Sequence, residues 1–197
     1  MDREVMMDTE EKYMSHLQGV VKIPTVSSVN DENTDWSQFD RLHQYMQEAW
    51  PLIFEKLSLT RIGKASLLFH WKSENPKKEP VLFMAHQDVV PAIHEEQWSH
   101  PPFGGEVDEG CLWGRGAEDC KSVLTAEMDA VEELLEEGFA PDFDIYLSFG
   151  HNEEVQCTPD KKGSVLTAAY LKEQGIHLAC LFDEGGNVEE VRAGEPP

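Results

Sequence analysis

From Val5 to Val21 apolar positions recur near helical spacing, as in Val5, Thr9, Tyr13, Leu17 and Val20, until Pro24 ends the pattern. Residues 25–35 are polar and read as a loop. A second helical stretch, about Ser37 to Leu57, carries Phe39, Leu42, Tyr45, Met46 and Ala49, and Pro51 is predicted to kink or split it. Period-two alternation predicts strands around Leu59–Ile62 and Ser66–Trp71, followed by a turn at Asn75-Pro76-Lys77-Lys78. The clearest helix spans about Asp119 to Glu137. It places Leu124, Met128, Val131 and Leu135 on one face and turns Glu132, Glu133, Glu136 and Glu137 to water, and Gly138 and Pro141 end it.

Three continuous apolar runs each end in possible metal ligands. Val81–Ala85 leads into His86-Gln87-Asp88, Phe143–Phe149 into Gly150-His151-Asn152-Glu153-Glu154, and Leu178–Phe182 into Asp183-Glu184-Gly185-Gly186. Short runs with such flanks read as buried strands, and their alternation with helices is the pattern of βαβ units on a mostly parallel sheet, an α/β fold. Open α/β sheets bind ligands beyond the carboxyl ends of their strands, so the three clusters are expected to meet at one edge.

With 197 residues and 40% hydrophobic content the chain can bury the core of one domain. Its formal charge of -22, from 16 basic against 38 acidic residues, repels nucleic acid and anionic membranes, and neither is expected as a partner. The acidic start Met1-Asp2-Arg3-Glu4 leads into no long apolar stretch, so a cytoplasmic location is expected. Cys111, Cys120, Cys157 and Cys180 form no C-x-x-C pair and are expected as free thiols, with Cys180 a small core residue.

His86 and Asp88, two apart at a strand end, can face one side, where an imidazole can bind a metal while the carboxylate fixes its ring. Taken alone, they read as a surface pair in an acid-rich chain. Glu153 and Glu154 follow a strand and a glycine, where adjacent carboxylates raise one another's pKa unless a cation intervenes. Asp119 sits at the start of the predicted helix, where an acid also suits the dipole, and Asp183 could be only a turn residue. Their convergence favours oxygen and nitrogen ligation of zinc, with manganese or cobalt as alternatives. Gly114-x-Gly116 lacks a third glycine in register for a dinucleotide, and no Gly-x-Ser-x-Gly elbow supports Ser122 or Cys120 as a nucleophile. The histidines other than His86 read as structural or exposed.

Several blocks resemble the dizinc aminoacylase and carboxypeptidase group of metallopeptidases, peptidase family M-twenty. They are Met84-Ala85-His86-Gln87-Asp88-Val89-Val90-Pro91, Trp98 with Pro101-Pro102-Phe103-Gly104-Gly105, Trp113 through Lys121, Phe149 through Glu154, and Asp183-Glu184-Gly185-Gly186. The stretch from Trp98 to Lys121 is most similar to the carboxypeptidase S and Gly-Xaa carboxypeptidase branch. The resemblance implies a three-layer α/β sandwich with a mostly parallel mixed sheet. It implies that His86 and Asp183 hold one zinc, that Glu154 holds a second, that Asp119 bridges them, that Asp88 orients His86 and that Glu153 is the general base. It also implies a cis peptide at Asp119-Cys120. The expected reaction is hydrolysis of N-acyl amino acids or small peptides by a metal-activated water.

The family pattern interrupts the catalytic domain with a lid or dimerisation domain and supplies a late histidine to the second zinc. The expectation is therefore that residues 1–197 form the N-terminal portion of the catalytic domain, with the lid and that histidine absent and the second metal left with Asp119 and Glu154. Val155–Asp160 replaces a glycine-rich run, and Asn152 stands where aspartate is commoner. A homodimer of the complete protein is one partner the resemblance allows. The alternative is a non-catalytic metal-binding or interaction fragment.

Overall fold

Seven strands form, β1 (Ser58–Ile62), β2 (Ser66–Trp71), β3 (Val81–His86), β4 (Glu106–Asp108), β5 (Cys111–Trp113), β6 (Ile145–Gly150) and β7 (Cys180–Phe182), in a computed structural model that describes residues 3–185. Gly186 of the third ligand cluster lies outside the described residues. Five strands pair in the order β1-β2-β6-β3-β7, antiparallel at β1/β2 and β2/β6 and parallel at β6/β3 and β3/β7. Only β2 runs against the other four, so the sheet is mixed and mostly parallel. The helices are α1 (Arg3–Val21), α2 (Trp36–Ala49), α3 (Pro51–Lys56), α4 (Lys121–Glu136) and α5 (Gly163–Glu173).

Alternation along the strands produces three layers. Leu67, Phe69 and Trp71 of β2 and Leu147 and Phe149 of β6 meet Leu42, Met46, Trp50, Ile53, Leu124 and Met128 of the α1–α4 layer. The intervening positions, Leu68, Leu82 and Tyr146, pack with Leu171 of α5 on the opposite face. Each large apolar side chain buried this way contributes about 1.5–3 kcal/mol of transfer free energy.

Pro51 splits the second helical stretch, as its missing amide predicts, and stands at the first turn of α3. No side chain of the preceding residue caps that turn. Instead Glu132 reaches across from α4 and accepts the amides of Leu52 and Ile53, both at 2.9 Å. The expectation that Glu132 faces water is therefore corrected: it is buried because it supplies the cap that α3 lacks locally. Asp129, one turn earlier, accepts Trp50 Nε1 at 2.7 Å and pairs with His16 Nδ1 at 2.5 Å, joining α1 and the end of α2 to α4.

Two further differences have simple causes. Strands β4 and β5, unforeseen from the sequence, form a hairpin around Glu109 and Gly110, whose φ values of 50° and 78° suit a tight two-residue turn. Cys180 is exposed rather than in the core, because β7 is a sheet edge whose three residues are all exposed. All four cysteines are free. Among the described residues, no helix is long and apolar enough to cross a membrane.

Replacing Glu132 with alanine leaves two buried amides without acceptors, and is expected to cost about 2–3 kcal/mol in urea unfolding. Glu127 of α4 offers a pH test. Its Oε2 is buried without a partner, and burial, followed by the charge of Asp183, raises its carboxyl to about 8. Because the folded pKa lies above the unfolded one, ionisation opposes folding, and the penalty grows as pH rises from about 4.5 to about 8. Glu127→Gln is therefore expected to match the parent at pH 4 and to exceed its unfolding free energy at pH 8.5 by on the order of 3 kcal/mol. Equal differences at both pH values would refute this.

Candidate metal centre

The carboxyl ends of β3, β6 and β7 lie side by side, with His86 in register with Gly150 and Phe83 with Phe182. The residues that follow each strand therefore converge. His86 is buried, and its Nδ1 lies 2.9 Å from the carbonyl oxygen of Asp88. A carbonyl can only accept, so the proton sits on Nδ1 and the other nitrogen is left for a ligand. That Nε2 lies 2.9 Å from Asp119 Oδ1 and 3.3 Å from Glu184 Oε1. His86, Asp119, Glu184 and Cys120 present ligand atoms that all fall within 4.8 Å of one another.

The electrostatics agree with this geometry. Burial alone would lower the pKa of His86, but the carboxylates of Asp88 and Glu184 and the hydrogen bond to Asp119 hold it above the ordinary histidine value. Glu184 is raised by burial against the lowering pull of His86, with Asp119 also repelling its charge. Glu154 is raised by burial and then by the nearby Asp119. A cluster in which burial and mutual repulsion disfavour the carboxylate charges, and in which those charges favour the cationic imidazole, is one where a divalent cation can take the place of protons. The donor set of one imidazole and several carboxylates fits zinc.

Asp88 does hold His86, but through its carbonyl rather than its carboxylate. Its carboxylate is 3.7 Å from His86 Nδ1, beyond hydrogen-bond range, so the ring is fixed by its carbonyl instead. The fully buried carboxylate accepts the amides of Glu153 and Glu154, each at 3.1 Å, and the hydroxyl of Ser27 at 2.5 Å. This clamp holds the turn after β6, where Asn152 takes a left-handed φ of 58°. Glu153 is exposed and lines a cavity of about 100 Å³ together with His86 and Glu184.

Asp119 is held from behind. The Asp119-Cys120 peptide is cis, as the resemblance implied. Cys120 Sγ accepts the His86 amide at 3.0 Å, and burial raises its pKa. Lys121 is fully buried, donating Nζ to the carbonyls of Val20 at 3.0 Å and Ile23 at 2.6 Å, and burial lowers its pKa to about 7. Gly116, with φ of 81°, leaves room for Val89, which any Cβ would strike. On the other side, a Cβ on Gly163 would collide with Ser66 and the His151 amide, so this glycine lets α5 start against the end of β6.

Of the residues singled out from the sequence, the fold brings His86, Asp119, Glu153 and Glu154 to one edge, with Asp88 beneath them. Asp183 lines the same cavity as His86 and Glu184 but is not among the ligand atoms clustered at the ring. It is exposed, and its Oδ1 accepts the amide of Glu184 at 2.9 Å, so its carboxylate turns back on its own backbone while Glu184 reaches the ring. The resemblance pointed to Asp183 of the Asp-Glu pair, but local spacing does not distinguish which carboxylate faces inward. The clamp by Asp88 and the thiol contact of Cys120 likewise carried no local signal.

Comparison with known proteins shows the family to which the chain belongs. The family model described as "Peptidase family M20/M25/M40" matches residues 82–194. Carboxypeptidase S of Saccharomyces cerevisiae is 38% identical over 190 residues, covering 89% of this chain and 32% of that protein. The N-fatty-acyl-amino acid synthase/hydrolase PM20D1 of Mus musculus is 36% identical over 176 residues, covering 88% and 34% respectively. The chain thus spans about a third of the length of the curated relatives it matches. The solved structure of the dipeptidase Dug1p from Saccharomyces cerevisiae superposes with a TM-score of 0.66 at 20% identity, covering 89% of this chain and 38% of that one. The family match covers more than half of the sequence and includes every residue of the centre, and the chain belongs to peptidase family M20/M25/M40.

Proposed function

We propose that this chain carries the N-terminal portion of the catalytic domain of a zinc-dependent hydrolase that cleaves amide or peptide bonds in N-acyl amino acids or small peptides. The observation that carries this reading is the presentation of His86 Nε2 to Asp119 and Glu184, with Nδ1 committed to the Asp88 carbonyl. The names of the relatives, a carboxypeptidase and an N-fatty-acyl-amino acid synthase/hydrolase, support an amide bond adjoining an amino acid as the target.

His86, Asp119 and Glu184 would hold one zinc, and Asp119 with Glu154 would contribute to a second. When bound, such a pair supplies a Lewis acid for the scissile carbonyl and lowers the pKa of water towards about 7. The chain's own residues do the rest. Glu153, exposed at the cavity and fixed through its amide by Asp88, is placed to accept a proton from the attacking water and deliver it to the departing amine. Asp88 keeps the imidazole tautomer and the Glu153-Glu154 turn in register, because one residue serves both.

Zinc titration and hydrolysis assays test this directly. The chain is expected to bind zinc, with Glu184→Gln weakening binding by about 10-fold or more and Asp183→Asn changing it little; the reverse order would restore Asp183 as the ligand. Hydrolysis of N-acyl amino acids is expected to fall by about 10²- to 10⁴-fold in Glu153→Gln with zinc binding retained. Stoichiometric zinc with no hydrolysis that this substitution affects would favour the metal-binding fragment instead.

A further inference from the structure

Gln87 lies between His86 and Asp88, yet side-chain alternation sends it to the other face of the sheet, into the α1–α4 layer. It is fully buried and has a partner for every polar atom. Its backbone amide donates to Gly150 at 2.9 Å, and its carbonyl accepts the Thr25 hydroxyl at 2.5 Å. Its side-chain Nε2 donates to the carbonyls of Ala65 at 2.8 Å and Phe149 at 2.7 Å, so Oε1 must accept. The partner is His43 Nε2 of α2 at 2.6 Å.

The chain of contacts continues to the surface side of α2. His43 is buried, and its Nδ1 lies 3.3 Å from Arg61 Nη1 on β1. A guanidinium has no acceptor, so Nδ1 must carry the lone pair and Nε2 the proton. One neutral tautomer of His43 and one orientation of the Gln87 amide satisfy all of these contacts together. Burial, which lowers the pKa of His43, favours the same neutral form.

We propose that His43 and Gln87, aligned by Arg61, are positioning residues of the metal centre, setting from behind the strand the place of the His86 ring and the Asp88 carboxylate. The inference rests on the metal-binding reading above. It follows from connectivity: Gln87 ties the peptide between those two residues to the ends of β6 and of the β1–β2 turn, and neither neighbour can shift without breaking a buried hydrogen bond.

The test is zinc affinity of the full 197-residue chain, measured by competition with a chromophoric chelator alongside the melting temperature of the metal-free form. His43→Phe keeps a ring but removes the donor, and is expected to weaken zinc binding by about 10- to 100-fold, the range seen when partners of metal ligands are removed. His43→Gln restores an amide donor near the Nε2 position and is expected to recover most of that loss. If His43→Phe does not fold, Arg61→Met removes only the outer contact and is expected to weaken binding several-fold with the chain still folded. A variant that melts lower yet binds zinc within twofold of the parent would make the network structural only and overturn the proposal. A parent chain that binds no zinc would overturn the metal-centre reading and this inference with it, whereas a zinc-binding parent with an unaffected Arg61→Met and His43→Phe overturns the inference alone.

Discussion

A buried carboxylate is costly unless its lone pairs are taken up, and Asp88 meets that demand by accepting two backbone amides and a hydroxyl. Those amides belong to Glu153 and Glu154, while the carbonyl of the same residue fixes His86. One residue at the end of β3 therefore determines the turn after β6 and the ring that opposes it. The site's geometry depends on this double use, because the ligands other than His86 belong to loops that no strand pairing would otherwise hold in register.

The surrounding structure reinforces the clamp from two sides. Behind β3, Gln87 fastens the same peptide to β6. Beneath Asp119, the buried amine of Lys121 ties the start of α4 to the end of α1 through two carbonyls, and Cys120 bonds the backbone of His86. These contacts are polar groups satisfied in a low-dielectric interior, where a missing partner costs more than an extra one gains. The exposed groups at the centre, Glu153 and Asp119, are by contrast those that would meet substrate or metal.

The charge distribution fits a cation-dependent centre. Glu154 and Glu184 are disfavoured as anions by burial and by one another's neighbours, and His86 is favoured as a cation by the same carboxylates. Protons and a divalent metal are competitors for such a site, since each relieves the same repulsion.

The sequence by itself determined the elements and where chemistry would gather. Apolar runs ending in His86, Glu153 and Asp183 gave the strands and their shared edge, Pro51 gave the break between α2 and α3, and the spacing of Leu124, Met128, Val131 and Leu135 gave α4, because periodicity and ring constraints act over a few residues. Only the tertiary structure decided that Glu184 rather than Asp183 meets the imidazole, that Glu132 is buried to cap α3, that Cys180 lies on an open edge, and that the Asp88 carboxylate clamps amides while its carbonyl holds the ring. Each of those outcomes depends on a partner between roughly 60 and 100 residues away or on the position of a strand within the sheet, and hydrogen-bond direction across such distances leaves no trace in local spacing.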